Sequence, residues 1–492
     1  MSSSVSAYDQ VSGHEADEHH HESSSRNSKW IIDVKENLDK LEEWRKLDHW
    51  MKKCIYEIPA CVKDLNKKAF KAQAVSFGPF HHGDDHLIPM EEHKHRALLQ
   101  FVKRSNKPIE SYMDALHRVG KNLIDSYDWL DEATNNDYRD QHGNYTDKFL
   151  ELMMLDGSFM LEILRTATRI IDDYASNDPI FSYHCKLNLM PYIRRDMLLL
   201  QNQLPMLLLD TLLNVEDSGA GNTNGDHEPK NEEYLNSIII RFFTPNRPTH
   251  IVGRCRHVLD VYRKNLLQEP HNKPHKPHGH GLHGKNGHSE YSFDIIRSAR
   301  ELYEAGIHLQ TSKTLSLKDI SFSGGVLRLP MIVVDDTTES TFLNLMAYER
   351  FHDGEGNDVT ACIFFMANII DSAKDVTLLH SKGILQNALG SDKAAAKLFD
   401  ELSMYVAPDP DSRLGKLHQE VNDYCERRRN KWRANLIQTY FRSPWTIISL
   451  VAAIVLMALT FAQTIYTYIL IITLVMHHLL LHPDLVSNLI LF

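Results

Sequence analysis

The stretch WTIISLVAAIVLMALTFAQTIYTYILIITLVMHHLLL (Trp445–Leu481) contains no Asp, Glu, Lys or Arg. A helix needs roughly 20 apolar residues to cross the hydrocarbon core of a bilayer. Ile447–Ile472 supplies them, with Gln463 as its only strongly polar interior residue. The expectation is a single transmembrane helix over 445–472, with the lipid bilayer as its partner. Arg427, Arg428, Arg429, Lys431, Arg433 and Arg442 precede the span, and no Lys or Arg follows it. That asymmetry assigns the bulk of the chain to the cytosolic side. A buried soluble helix is the competing reading, but such helices rarely run so far without a charge. Met1–Ser28 is rich in Ser, His, Asp and Glu and lacks the apolar core of a signal peptide. Insertion is therefore expected after synthesis, as in a tail-anchored protein.

Composition bounds the rest. With 492 residues, 42% apolar and 24% charged, the chain can build a large globular body. A net charge of −11 argues against general nucleic-acid binding, which needs a basic face. The six cysteines (Cys54, Cys61, Cys185, Cys255, Cys362, Cys425) form no CxxC pair, which excludes a zinc ribbon and a thioredoxin-like motif. Sparse, scattered cysteines suit a reducing compartment. A sequon occurs at Asn144–Thr146.

Working back from the span, the organisation reads as a disordered head rich in His and acidic residues over 1–29 and an amphipathic helix over 30–53. A body follows over 54–442, then the span and an apolar tail over 473–492. Two inserts interrupt the body. Residues 216–233 are rich in Gly, Asn, Asp and Glu, and 268–290 in Pro, Gly and His. Neither can bury enough apolar surface to order itself. The body is mainly α. Apolar spacing predicts helices over Lys148–Ile171, Phe342–Tyr348, Val359–Asp371, Val376–Leu389, Lys393–Tyr405 and Leu414–Leu436. Arg194–Leu213 reads as a buried helix that Pro205 kinks or divides. Leu414, Leu417, Val421 and Tyr424 form a stripe for packing on the body or on a partner helix. In Ile320–Leu329 the central Gly324-Gly325 suits a two-residue hairpin turn. Pairing outward places Phe322 opposite Leu327 and Ser321 opposite Arg328, one apolar face and one polar. Met331–Val334 is a further strand candidate. The fold class is mainly α with a small β-hairpin element, plus one carboxy-terminal membrane helix.

Chemical motifs are sparse. The chain has no GxxxxGK[ST] loop, no GxGxxG after a strand, no GxSxG elbow and no HExxH. Imidazole suits zinc, copper or nickel. His14 and His19–His21 lie in the head, however, and His271, His275, His278, His280, His283 and His288 lie in the second insert. Those tracts lack the rigid surroundings a metal site needs. A third group is Gly78-Pro79-Phe80-His81-His82-Gly83 with His86, Glu91, Glu92, His93 and His95. Here a Gly-Pro turn leads into a helix from about Met90, with Glu91 and Glu92 favourable in its first turn. A structural turn is the plainer reading, and a site over His81–His95 the sharper one. Arg194-Arg195-Asp196 reads as a helix start whose charges pair inside the fold. No catalytic residue, cofactor or metal site is assigned.

Several ordered segments resemble one plant family. They are Ile55–Pro59, Ala74–Gly83, Met90–Lys94, Met154–Phe159, Asp178–Phe181, Arg195–Met197 and Gln201–Pro205. Ile320–Phe322, Asp336–Ser340, Lys382–Ile384 and Leu389–Asp392 follow. Tyr440-Phe441, Pro444-Trp445, Leu459–Phe461 and Gln463-Thr464 complete the set. Together they cover Cys54–Tyr468 and resemble the plant "domain of unknown function 247" family. The resemblance implies a plant membrane protein with one carboxy-terminal span and no accepted enzymatic activity. Certain grass members are implicated as pollen-side determinants of self-incompatibility. Relatives usually stop near Tyr468, whereas here Ile469–Phe492 continues.

The expected function is recognition or signalling at a membrane through an unnamed protein partner. Self-incompatibility is one form of it, and catalysis is not expected. Two alternatives stand beside this reading. One is an enzyme of unassigned type with a cleft joining His81–His95 to Arg194–Asp196, and the other is a simple membrane tether.

Overall fold

The computed structural model describes residues 53–64, 66–128, 137–140, 144–218, 230–245, 252–268, 297–352, 354–404, 412–440 and 444–481. The head, the helix expected over Trp30–Met51 and nearly all of the insert 268–290 lie outside them. Among the described residues are eighteen helices and seven short strands. The chain forms two compact units, residues 1–268 with 337–360, and residues 269–336 with 361–492.

The first unit is built around one helix. Its elements run β1 (Ile55–Tyr56), α1 (Ala60–Lys63), α2 (Lys67–Phe70), α3 (Ile88–Ser105), α4 (Ile109–Asp125), β2 (Tyr127–Asp128), α5 (Asp147–Ala167), α6 (Tyr183–Asn188), α7 (Met190–Asp196), α8 (Met206–Asp217), α9 (Lys230–Phe243) and α10 (Val258–Leu266). Later in the chain α12 (Thr338–Phe351) returns to it. From Phe149 to Thr166 every residue of α5 except Glu151 is buried. A helix apolar around its whole circumference must be surrounded, and α3, α4, α8 and α9 all pack on α5. Helix α3 starts with Pro89 in its first turn and ends at Asn106, whose φ of 51° closes it left-handed. β1 and β2 pair in parallel.

The second unit holds α11 (Ala299–Glu304), β3 (His308–Thr311), β4 (Ser321–Ser323), β5 (Val326–Leu329) and β6 (Ile332–Val334). After α13 (Asp358–Ile369) come α14 (Ala373–Ser381), β7 (Leu385–Asn387), α15 (Asp392–Ser403), α16 (Arg413–Glu426), α17 (Arg428–Tyr440) and α18 (Pro444–Leu481). The hairpin forms in the expected register, Ser321 opposite Arg328 and Phe322 opposite Leu327. Its turn glycines have φ of 58° and 81°. β3 joins β5 in parallel as a third strand. Helix α16 covers the hairpin through an edge-on contact of Tyr424 with Phe322, ring centroids 5.5 Å apart. Leu414, Leu417 and Val421 are buried on the same helix, so the stripe packs on the body. α18 is long and apolar enough to cross a membrane over Trp445–His477, and none of its most apolar window is buried.

Several boundaries differ from expectation. Arg194–Leu213 is not one helix. α7 ends at Asp196, turns occupy the next residues, and α8 starts after Pro205, whose missing N–H suits the residue preceding a helix. Arg194–Asp196 is therefore a helix end, not a start. The expected helix Val376–Leu389 stops at Ser381, because Gly383 turns the chain at φ 68°. Residues 385–387 instead pair in parallel with β6, the strand anticipated near Met331–Val334. Leu414–Leu436 breaks at Arg427, which is extended at ψ 135°. The ends of the insert 216–233 are helical, in α8 and α9. The span continues through residues assigned to the tail, as far as Leu481.

Gly325 and Gly324 separate turn geometry from space. A Cβ on Gly325 would meet Tyr424 Oη at 2.5 Å, whereas one on Gly324 meets nothing within 4 Å. Both positions disfavour β-branched residues, at roughly 1–3 kcal/mol each. Gly325→Val is expected to lower the melting temperature of the full chain more than Gly324→Val. Equal shifts would show that α16 does not press on the turn.

Candidate functional site

The segment Gln73–Gly78 belongs to no helix or strand, so its backbone groups need side-chain partners. Three buried residues supply them. Asp196, at the end of α7, accepts from the N–H groups of Gln73 (2.9 Å), Ala74 (2.6 Å) and Val75 (3.1 Å) through Oδ2. Its Oδ1 accepts from Arg195 Nη1 at 2.9 Å. Asn202 accepts from the N–H of Phe77 at 2.7 Å and donates to the carbonyl of Val75 at 3.0 Å. Asp156, in the middle of α5, accepts from Gly78 N–H at 2.8 Å and from Lys94 Nζ at 2.7 Å. Lys94 also reaches Ser76 Oγ (3.0 Å) and Glu91 (2.7 Å). Lys94, Asp156, Asp196 and Asn202 are completely buried. Burial pushes the Asp156 carboxyl up, and the Lys94 ammonium beside it pulls it back. Gly78 has φ of 72°, and a Cβ there would lie 2.9 Å from Tyr127 Oη and 3.0 Å from the carbonyl of Gln203. Only glycine fits.

The histidines after this segment do not converge. His81 Nδ1 lies 3.5 Å from Asp84, and burial lowers its pKa while Asp84 raises it. His82 is exposed. His86 meets the carbonyl of Ala72 at 2.8 Å, His95 that of Glu91 at 2.8 Å, and His93 lies 3.0 Å from Arg96. No group of three or more His, Cys, Asp or Glu among the described residues could hold a metal ion. Among the described residues no hydrogen bond or ion pair joins Arg194–Asp196 to His81–His95; Asp196 binds Gln73–Val75 and Arg195 instead. The histidines of the head and second insert lie outside the described residues.

A concavity of about 680 Å³ opens elsewhere in the first unit. Its lining includes the acidic Asp125, Asp210, Glu232 and Glu355, the basic Arg254, Arg256 and Lys264, and Cys54, Cys255 and Met206. Most of these charges already have partners. Arg256 donates to Glu355 at 2.6 Å, and Lys264 to Asp260 at 3.1 Å and the Arg254 carbonyl at 2.7 Å. Burial raises the Asp210 carboxyl, Asn214 lowers it and Glu232 raises it further. Burial pushes the thiols of Cys54 and Cys255 up to about 12. A thiol must ionise to attack or to ligate, and burial disfavours the ionised form at both. The cleft therefore carries both signs of charge, much of it already paired.

Behind it lies a buried aromatic group that no sequence spacing announces. His257 caps α10 by accepting from Asp260 N–H at Nδ1, and donates from Nε2 to the Cys54 carbonyl at 3.0 Å. Its ring meets Tyr348 edge-on at 4.8 Å, and Tyr348 stacks on His352 at 5.3 Å. Tyr56 Oη lies 2.6 Å from His352 Nδ1. Tyr348 and His352 are one helical turn apart on α12, whereas Tyr56 lies 296 positions from His352 and His257 lies 203 from Cys54, beyond the reach of any local motif. Burial holds His257 down at about 3 and His352 at about 4. Arg256 and Arg263 lower His352 further, and Glu355 and Asp260 oppose them.

Two outcomes are expected. Lys94→Met leaves Asp156 buried without its cation, at a cost of about 3–5 kcal/mol. Lys67→Met removes an exposed partner of Asp64 and costs under about 1 kcal/mol. Urea titration of the full chain distinguishes them, and comparable losses would refute the clamp. The second outcome concerns pH. A histidine depressed in the fold stabilises above its unfolded pKa near 6.5, and that stability is lost as pH falls toward the folded value. At pH 5 each of His257 and His352 therefore costs about 2 kcal/mol. His352→Gln is expected to lose less melting temperature between pH 7 and pH 5 than the parent chain. An identical loss would mean His352 does not stay neutral.

Known proteins place this architecture. Residues 55–459 match the family model described as "Plant protein of unknown function", DUF247. The UPF0481 protein At3g47200 of Arabidopsis thaliana is 30% identical, over 84% of this chain and 85% of its own length. The putative UPF0481 protein At3g02645 of the same plant is 20% identical, over 89% of this chain and 94% of its own. No solved structure matches. The match runs from β1 into the apolar helix and includes Asp156, Asp196 and Asn202, so this chain belongs to the DUF247 family of plant proteins.

Proposed function

We propose that this chain is a membrane-anchored recognition protein that acts by binding a partner and not by turnover. The observation that carries the reading is where the polar groups of the recognisable segments go. Asp156, Asp196, Asn202 and Lys94 all hold the body's own backbone or one another. The cleft offers ion pairs and protonated thiols, which suit binding, and the solvent-facing histidines are dispersed. α18 supplies the anchor, and the basic residues before it favour a cytosolic body. The pollen-side self-incompatibility role is the finer form of this proposal, with specificity carried by surface residues and by the insert 268–290.

The side of the membrane and the site of specificity are tested together. In plant membrane vesicles the exposed Asn144 is expected to stay free of glycan and the body to be digested by added protease. Exchanging residues 268–290 for the matching loop of another family member is expected to change the captured partner while leaving the melting temperature unchanged. A glycan at Asn144 would overturn the cytosolic placement. A turnover reaction abolished by alanine at His81 and His82 would overturn the binding reading.

A further inference from the structure

Helix α17 joins the body to the membrane helix, and its two sides differ. At 100° per residue, Arg428, Trp432 and Asn435 share one side, with Arg429 and Lys431 flanking them. All five are exposed, and Trp432 is 68% exposed. Ala434 on the opposite side is buried, between the half-buried Asn430 and Ile437. That side packs on α16 and α11, so the outer face is the one left for a ligand. Lys431 pairs with Glu426, and Arg427 lies 5.0 Å over the Tyr424 ring. Arg428 and Arg429 have no partner among the described residues. An exposed tryptophan set among cations is poorly suited to water alone. It is the composition of a helix lying in a membrane interface, where the indole sits at headgroup level and the cations meet anionic lipid.

Continuity fixes the occupant. Only three residues separate Tyr440 from Pro444, a reach of at most about 14 Å. The apolar window starts one residue later, at Trp445. The end of α17 is therefore tethered close to the headgroups of the bilayer that holds α18. We propose that the outer face of α17 is a lipid-binding surface. It would lie along the interface with Trp432 at headgroup depth, and Arg428, Arg429 and Lys431 would bind anionic phospholipids. This rests on the membrane-anchor reading above and adds the class of lipid.

The test uses the full chain with Trp445→Phe, reconstituted in phosphatidylcholine vesicles. The vesicles contain an equal mole fraction of either brominated phosphatidylserine or brominated phosphatidylcholine, whose bromines quench nearby indole emission. The signal of Trp432 is the difference from the Trp445→Phe/Trp432→Phe chain. Headgroup attraction to clustered cations predicts that brominated phosphatidylserine quenches it about twofold more strongly than brominated phosphatidylcholine. Changing Arg428, Arg429 and Lys431 together to Gln is expected to remove that excess. All five substituted side chains are exposed, and an unchanged melting temperature checks the fold. Equal quenching by both lipids in chains that resist alkaline extraction overturns this proposal and leaves the anchor standing. That outcome includes the case in which a second copy or an acidic protein covers the face. Chains that leave the vesicles at alkaline pH overturn the anchor reading and this proposal with it.

Discussion

A buried carboxylate must be given hydrogen bonds, and an irregular segment with no neighbouring strand must find partners for its backbone. The first unit solves both problems with the same atoms. Asp196 receives three consecutive backbone N–H groups, Asn202 takes the next segment, and Asp156 takes Gly78. Each buried N–H left unmade costs about 1–3 kcal/mol, so the arrangement specifies where Gln73–Gly78 runs. Because Asp156 sits on α5 and Lys94 on α3, the same contacts also set how those helices meet. The apolar surfaces drive collapse, but they are non-directional. The polar contacts select one packing among many.

This explains how much of the molecule the sequence revealed. The span and the hairpin were legible because their signals are local, an uncharged run in one case and alternation around Gly324-Gly325 in the other. The start of α3 near Met90 was legible for the same reason. Arg194-Arg195-Asp196 was misread in direction, since a charged triplet beside apolar residues marks a helix end as well as a start. Residues 385–387 were drawn into the preceding helix because their apolar content carries no period over three positions. Parallel pairings such as β3 with β5 and β6 with β7 join strands with no turn between them, so no turn residue marks them. The group of Tyr56, His257, Tyr348 and His352 was invisible for the most general reason. Tyr348 and His352 are neighbours one helical turn apart, but only the tertiary fold brings Tyr56 and His257 to them.

The charged groups of the concavity and of α17 differ in how far they are already paired. Inside the cleft Arg256 and Lys264 are engaged with Glu355 and Asp260. A ligand that used those cations would have to replace existing ion pairs, which makes binding an exchange and favours selectivity over raw affinity. On α17 the situation is reversed. Arg428 and Arg429 point outward with nothing to displace.

The first unit is discontinuous along the chain, with residues 269–336 belonging to the second unit. Asn344 binds the carbonyl of Ala69 and receives the N–H of Leu200, and Ser340 binds the carbonyl of Ala69 as well. During translation the earlier segment therefore waits for α12. At ribosomal speeds of about 5–20 residues per second, the roughly 90 residues between positions 268 and 360 take about 5–20 s. For that interval the apolar faces around α2 and β1 lack their last partner. Contacts this distant in sequence also form slowly once the chain is complete. The nascent protein is thus exposed to aggregation late in its synthesis, before its long apolar carboxy-terminal helix leaves the ribosome.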